Sequence, residues 1–186
     1  MSMNGTREVV EVSRDIPATT VPYGESTTLP AGETVTIVQN LGGSVTVRTP
    51  FGVLLRVDGD NSDALGMERD LTERAVTLHG KGPFSLDQVR AALQTVYDPE
   101  IPISIVELGL IYRLDEVMQD DGTRLIELDM TMTAPGCGMG DVISGDAQRA
   151  ILSVPGVDEV EVNVVFDPPW NMSMMSEETR LELGLL

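Results

Sequence analysis

The chain has 186 residues, of which 41% are hydrophobic, and its 30 acidic and 12 basic side chains give a formal charge of −18. Such acidity disfavours binding to nucleic acid and to anionic membranes, because both depend on Lys and Arg facing phosphates. The N-terminus lacks the apolar stretch of a signal peptide, and no run approaches the about 18 apolar residues of a membrane span. We therefore expect a globular, cytoplasmic protein with one sizeable core or two small ones.

Residues 1–80 are predicted to form a small all-β domain of unknown role, a sandwich or barrel. Thr34–Val38 and Ser44–Arg48 alternate polar and apolar residues around Gly42-Gly43, a pattern typical of a β-hairpin. A last strand is expected at Val76–Leu78. A long helix is disfavoured by several prolines, at Pro17, Pro22, Pro30 and Pro50.

The periodicity changes after Gly80-Lys81-Gly82-Pro83, which we interpret as a joint between two domains. Ser85 and Gln88 match a capping box at the start of a helix. This helix is expected to run up to Asp98-Pro99, because a residue before proline avoids helical angles. Apolar residues at helical spacing within it are Leu86, Val89, Leu93 and Val96.

Further elements are predicted along residues 110–180. Strands are expected at 110–117 and 124–132, a helix from Met139 to about Pro155, and a final helix from about Ser176. Between the two helices lies a third strand, predicted to face the core with Val160, Val162, Val164 and Phe166. A hairpin followed by a β–α–β unit predicts a mixed three-stranded sheet with helices on one face. Residues 83–180 are thus predicted to be an α-β-β-α-β domain, and the fold class is α+β.

Cys137 is the only cysteine of the chain. A single cysteine excludes an internal disulfide, fits a reducing compartment and cannot form a closed cysteine zinc site by itself. It lies in a glycine-rich segment, Thr133–Asp141, between a predicted strand and a predicted helix. At a helix start a thiolate should have a lowered pKa, which makes it a better nucleophile or metal ligand. Simple burial as a small apolar residue is the structural alternative.

Several chemistries are open to this thiol. A cysteine hydrolase needs a histidine base, and the only histidine, His79, is expected to be structural or exposed. A thiol-redox protein using Cys137 would need an outside thiol, since the chain has no resolving cysteine. Metal ligation could use the carboxylates of Asp98, Glu100 or Glu107, or Cys137 of a second subunit. The Asp-Pro-Glu sequence is also a common turn.

The segment Asp167-Pro168-Pro169-Trp170 carries the only tryptophan and is followed by closely spaced methionines. A methionine-rich exposed stretch can act as an adaptable contact surface. Trp170, Met172 and Met174 are therefore candidate partner-binding residues, and ordinary packing is the alternative.

Four segments resemble, in the right order, the successive motifs of one family. They are Tyr97–Pro102, Val106–Tyr112, Thr131–Cys137 and Asp167–Trp170. The family is the small domain shared by cytosolic iron–sulfur assembly factors, the bacterial protein SufT and the phenylacetate-degradation protein PaaD. The resemblance covers about residues 83–180. With its additional N-terminal β region, the whole chain resembles SufT most.

The resemblance implies a non-enzymatic accessory role in iron–sulfur cluster assembly and in maturation of iron–sulfur proteins, by transient binding of a cluster or iron or by client docking. It implies a functional motif of Asp98, Glu100, Thr133, Pro135 and Cys137, in which Cys137, Asp98 and Glu100 are candidate metal ligands. The implied partners are assembly scaffold or carrier proteins and client apoproteins; a homodimer would bring two Cys137 thiolates together. The alternatives are a thiol-redox role and PaaD-like assembly of a multicomponent oxygenase.

Overall fold

The computed structural model describes residues 8–41, 43–67, 83–99, 101–136 and 138–185. These parts of the chain form a six-stranded antiparallel sheet and a three-stranded mixed sheet. A mixed α+β protein with a β-rich N-terminal region is therefore confirmed. Among the described residues, no helix combines the length and apolar character that crossing a membrane requires.

The larger sheet occupies the N-terminal region. Its strands are β1 (Val9–Glu11), β2 (Ile16–Val21), β3 (Ser26–Leu29), β4 (Thr34–Leu41), β5 (Ser44–Arg48) and β6 (Leu54–Asp58), followed by a 3₁₀ helix at Gly59–Leu65. Their spatial order is β1-β4-β5-β6-β2-β3. The predicted hairpin is confirmed, with Leu41 opposite Ser44, although Gly42 of its turn lies outside the described residues. The predicted strand at 76–78, His79 and the joint at 80–82 also lie outside them.

Proline is tolerated in β2 because the strand pairs differently along its length. Pro17 faces Thr28 of the edge strand β3, whereas β6 pairs only with the Thr19–Val21 end of β2. The missing N–H of Pro17 therefore costs no hydrogen bond to β6. Apolar residues of the sheet and the 3₁₀ helix form a buried cluster that includes Ile16 and Leu65.

The smaller sheet follows in the C-terminal region. Its elements and the helices around it are α1 (Leu86–Leu93), β7 (Ile111–Met118), β8 (Arg124–Met130), α2 (Gly140–Leu152), β9 (Glu159–Val164), a 3₁₀ turn at Met172–Met174 and α3 (Glu177–Glu182). Strand β8 lies in the centre, antiparallel to β7 and parallel to β9, so the predicted mixed sheet is confirmed. Ile126, Leu128 and Met130 of β8 are fully buried and form a cluster with apolar residues of α1 and α2.

The capping box at the start of α1 is confirmed, since Ser85 N donates to Gln88 Oε1 at 3.1 Å. The end of this helix was predicted wrongly. The helix ends at Leu93 rather than at Asp98, and the carbonyl of Val96 instead accepts a hydrogen bond from Ile105 N at 2.9 Å. Burial of Val96 is thus achieved by a turn rather than by a helical face.

A second correction concerns the end of β9. Phe166 was expected to face the core, but the strand ends at Val164 and the Phe166 side chain is 51% exposed. Once the strand has ended, its alternation no longer decides which way a side chain points.

The side of β8 that alternates with its buried residues is charged. Arg113 of β7 donates from Nε to Asp129 Oδ2 at 2.7 Å and from Nη1 to Glu127 Oε2 at 2.9 Å. The hydrogen bond from Arg113, followed by that from Asn163, lowers the pKa of Asp129 below its usual range. This face is therefore organised by hydrogen bonds between adjacent strands rather than by burial.

Candidate functional site

Backbone hydrogen bonds connect the first three motif segments, either directly or through the residues that flank them. Ile105 N donates to the carbonyl of Val96, the residue before the first segment, and Leu110 N donates to the carbonyl of Ile105 at 3.0 Å. Thr131 N in turn donates to the carbonyl of Leu110 at 2.8 Å. The turn after α1, the segment leading into β7 and the end of β8 therefore form one connected unit, although they are distant in sequence.

Side chains attach the fourth segment to this unit. Trp170 Nε1 donates to the carbonyl of Leu108 at 2.8 Å, and the Tyr112 hydroxyl donates to the carbonyl of Pro168 at 2.8 Å. Gly109 allows close approach, because its φ is +72° and an added Cβ would overlap the carbonyl of Met174. All four motif segments are thus held together in the folded protein.

Asp98 shapes the turn that follows α1. Its side chain is buried, and Oδ1 accepts a hydrogen bond from Ile101 N at 2.9 Å. Its backbone N donates to the carbonyl of Ile103 at 3.0 Å. A carboxylate engaged in this way holds the turn in place. Glu100, the second predicted carboxylate of this turn, lies outside the described residues.

The segment around Cys137 is a surface loop with buried anchors on either side. Met132 and Met139 are buried, whereas Ala134–Gly136 and Gly138 are exposed. Cys137 itself lies outside the described residues. Met139 is also the residue that precedes the first helical residue of α2. The loop therefore presents exposed backbone immediately before and after Cys137, at the start of a helix of 13 residues.

The turn geometry of this loop depends on Pro135 and Gly136. Pro135 is exposed, and Gly136 has a φ of +77°, a left-handed conformation that glycine adopts without strain. Nothing lies within 4 Å of a Cβ added at Gly136, so the requirement for glycine comes from backbone angles rather than from a close neighbour.

Thr131 is a candidate that sequence reasoning did not select. Its side chain is 1% exposed, and among the described residues its Oγ1 has no hydrogen-bond partner. Thr133, which was selected, is half-buried. A buried hydroxyl without a partner is uncommon in folded proteins, and its place next to the Cys137 loop marks it for attention. Its membership in the third motif segment is the sequence signal that points to it.

No metal centre is formed by the described residues, in which no group of three or more His, Cys, Asp or Glu side chains is suitably placed. Cys137 and Glu100 lie outside the described residues. The proposed ligands Asp98, Glu100 and Cys137 therefore remain a prediction.

The three candidate partner-binding residues differ in their surroundings. Trp170 is half-buried and bonded to Leu108, and Met174 Sδ accepts from the Tyr112 hydroxyl at 3.5 Å. Met172, by contrast, is 56% exposed. Of the three, Met172 presents the largest free surface.

Comparisons with known proteins identify related sequences. The family model described as iron–sulfur cluster assembly protein matches residues 86–164, from α1 to β9. An Fe-S protein maturation auxiliary factor of Porphyromonas gingivalis is 48% identical over 94 residues, covering 50% of this chain and 86% of that protein. This chain belongs to the iron–sulfur cluster assembly protein family.

Two further comparisons cover a similar share of this chain. SufT of Staphylococcus aureus, named an Fe-S protein maturation auxiliary factor, is 39% identical over 90 residues, which cover 48% of this chain and 98% of that protein. A crystal structure of a domain of unknown function from Bacillus anthracis shares 38% identity, covers 54% of this chain and 92% of that chain, and has a TM-score of 0.46. The six-stranded sheet lies N-terminal to the stretch matched by the family model. Because the match covers 98% of Staphylococcus aureus SufT, the N-terminal β region is not a feature that this chain shares with that protein, contrary to the expectation from the sequence.

Proposed function

We propose that this family member is a non-enzymatic accessory factor in iron–sulfur cluster assembly and in the maturation of iron–sulfur proteins, acting through the Cys137 loop. The observation that carries the proposal is the exposed backbone on both sides of Cys137, mounted on the unit that joins the four motif segments. The names of the similar proteins, which describe maturation auxiliary factors, support the same role.

The chemistry follows from one thiol at the start of a helix. The N-terminal end of a helix favours negative charge, so it favours the thiolate that binds iron or attacks an electrophile. Because the chain contains a single cysteine, a cluster carried as cargo would take its other ligands from a carrier, a client apoprotein or a second copy of this chain. A cluster whose ligands are shared between two proteins is suited to transient delivery rather than to storage.

The predicted site residues have different roles in the proposed function. Cys137 would be the ligand, with Asp98 and Glu100 as candidate oxygen ligands on the neighbouring motif, and Thr133 and Pro135 would shape the loop. Trp170, Met172 and Met174 would contribute to docking of scaffold, carrier or client proteins. Of the docking residues, Met172 has the exposure that direct contact needs.

We also propose the division into a β domain at 1–80 and an assembly domain at 83–180, with one sheet in each domain and with Val21 of the β domain packing into the buried cluster of the assembly domain. A reducing, cytoplasmic location fits the free thiol.

Iron and sulfide content, with visible absorption, tests cluster binding in protein prepared without oxygen. Wild type, Cys137→Ala and the loop control Ala134→Ser would be compared before and after reconstitution. A cluster in wild type and Ala134→Ser that is absent from Cys137→Ala is the expected result. Equal iron and sulfide in all three proteins would contradict ligation by Cys137.

Maturation of iron–sulfur enzymes in cells under high cluster demand tests the role itself. We expect Cys137→Ser to lose the maturation activity and Ala134→Ser to keep it. Normal maturation with Cys137→Ser would show that the thiol is not needed.

A thiol-redox role is a second candidate, favoured by the exposed loop at the start of α2. Its test is the pKa of the Cys137 thiol together with its rate with hydrogen peroxide. An unshifted pKa and a slow reaction would eliminate this role.

A further inference from the structure

The larger sheet touches the Cys137 loop through its β2–β3 turn. Gly24 of that turn has a φ of +72°, and an added Cβ would overlap the carbonyl of Gly138. Conversely, a Cβ added at Gly138 would overlap the carbonyl of Tyr23. The two backbones are therefore in direct contact at the residue that follows Cys137, and the contact requires glycine on both sides.

Apolar side chains extend this contact. Val21, at the end of β2, is 5% exposed and belongs to the buried cluster of the smaller sheet, which also contains Met139 and Ile143. Leu54, the partner of Val21 across the β2–β6 pair, packs against the same cluster. Two residues of the larger sheet thus pack into the apolar cluster that includes the start of α2, so the contact at Gly24 is part of a packed interface.

A largely buried ion pair forms a third link between the larger sheet and α2. Arg56 of β6 pairs with Asp146 of α2, and their side chains are only 7% and 14% exposed. Arg56 Nε also donates a hydrogen bond to Ser44 Oγ at 3.2 Å. Asp146 forms a second ion pair, with Arg149. Burial raises the pKa of Asp146, against the opposing effect of the two arginines. Removing one partner of this pair would leave the other charge buried without its main counter-charge, which is costly.

We propose that the larger sheet clamps the Cys137 loop, with Gly24 as its positioning residue and Arg56 as its second anchor. The inference rests on the proposed function of that loop. The clamp holds the backbone at Gly138 and the start of α2, so fewer loop conformations are available around the thiol. It also occupies one approach to Gly138, which restricts the side from which a carrier or client protein reaches the loop.

This clamp distinguishes the chain from its smaller relatives. The matched stretch fills 86% of the Porphyromonas gingivalis protein and 98% of Staphylococcus aureus SufT, which leaves little length for a comparable sheet. In this chain, therefore, the N-terminal region adds a control on loop access to a domain that fills most of these two relatives.

The rate of Cys137 alkylation by iodoacetamide tests the clamp, because the chain has no other thiol. Gly24→Ala removes the close approach, and Gly32→Ala is its matched control, since Gly32 also has a positive φ but nothing lies within 4 Å of an added Cβ. We expect Gly24→Ala to raise the alkylation rate about 5-fold or more by local opening, and Gly32→Ala to change it by less than about 2-fold. Amide hydrogen exchange at Gly138 and Met139 should quicken in parallel.

A second pair of variants keeps the test decisive if Gly24→Ala does not fold. Arg56→Met breaks the link to Asp146, and Arg14→Met breaks the exposed pair with Asp63 as a control. Faster alkylation in Arg56→Met than in Arg14→Met is expected. Rates equal to the controls in every folded clamp variant would overturn the clamp, whatever the cellular result with Cys137→Ser. Normal maturation with Cys137→Ser would instead overturn the proposed function, and the alkylation rates would still report on the clamp.

Discussion

Trp170 and Leu108 are joined by a hydrogen bond of 2.8 Å from the indole Nε1–H to the backbone carbonyl. Leu108 is fully buried, and Trp170 packs against the same apolar cluster. The bond therefore connects the segment after β9 to the turn before β7 in a place with little water. This connection is what makes the fourth motif segment part of the site.

Replacing Trp170 with Phe should therefore destabilise the protein. Phe keeps an aromatic ring but leaves the buried carbonyl without its donor, so we expect a loss of about 1–2 kcal/mol in the free energy of unfolding. Urea unfolding would measure it, with Met172→Ala as a control expected to stay within about 0.5 kcal/mol, because that side chain is exposed. A Trp170→Phe protein as stable as wild type would show that the bond contributes nothing.

Gly109 should tolerate substitution less well than Gly122. Both have positive φ, but a Cβ at Gly109 would overlap the Met174 carbonyl, whereas nothing lies within 4 Å of one at Gly122. Gly122→Ala should cost about 1–2 kcal/mol from backbone strain alone. Gly109→Ala should cost about 1–3 kcal/mol more, because the Met174 backbone must move. Thermal unfolding of the two variants would compare them, and equal losses would contradict the close contact.

Thr131 should be a position where stability and function oppose each other. Its buried hydroxyl has no hydrogen-bond partner among the described residues, so Thr131→Val should leave the stability unchanged or raise it by about 1 kcal/mol. Thr179 is the matched control: it is equally buried, but its Oγ1 accepts from Ser176 Oγ at 2.7 Å, so Thr179→Val should cost about 1 kcal/mol.

If the Thr131 hydroxyl contributes to the function of the Cys137 loop, the Thr131→Val protein should fold normally but support little maturation of iron–sulfur enzymes. Chemical unfolding and enzyme maturation in cells would measure the two effects separately. Full maturation by Thr131→Val would remove Thr131 from the site.

Asp129 should titrate below the usual range of a carboxyl, because Arg113 and then Asn163 donate hydrogen bonds to it. Carbon-13 NMR of the carboxyl group would measure its pKa, which should rise towards the usual value in Arg113→Gln and stay unchanged in Arg124→Gln. Because the pKa of Asp129 is lowered in the folded state, ionised Asp129 stabilises the folded protein at pH values above its unfolded-state pKa. This contribution to the free energy of unfolding is lost as the pH falls through the folded-state pKa. An Asp129 pKa that does not respond to Arg113→Gln would contradict the described pairing.

Elements with a strong local pattern could be predicted from the sequence. The hairpin of β4 and β5, the capping box of Ser85 and Gln88, and the buried alternation of Ile126, Leu128 and Met130 were all correct. Each depends on residues close together in the chain. The short strands β1 to β3 were not located individually, since β3 contains only four residues, Ser26–Leu29, and shows no alternation.

The family and the loop that carries Cys137 were determined by the sequence alone, because motif residues and helix signals are local. Tertiary structure decided that Gly24 meets Gly138, that Arg56 reaches Asp146 and that Trp170 bonds to Leu108. None of these pairs has a sequence pattern, since the partners lie far apart in the chain and are brought together by burial of two sheets and their helices. Tertiary packing likewise left Phe166 exposed and Thr131 without a described partner, because local periodicity does not determine what lies opposite a side chain.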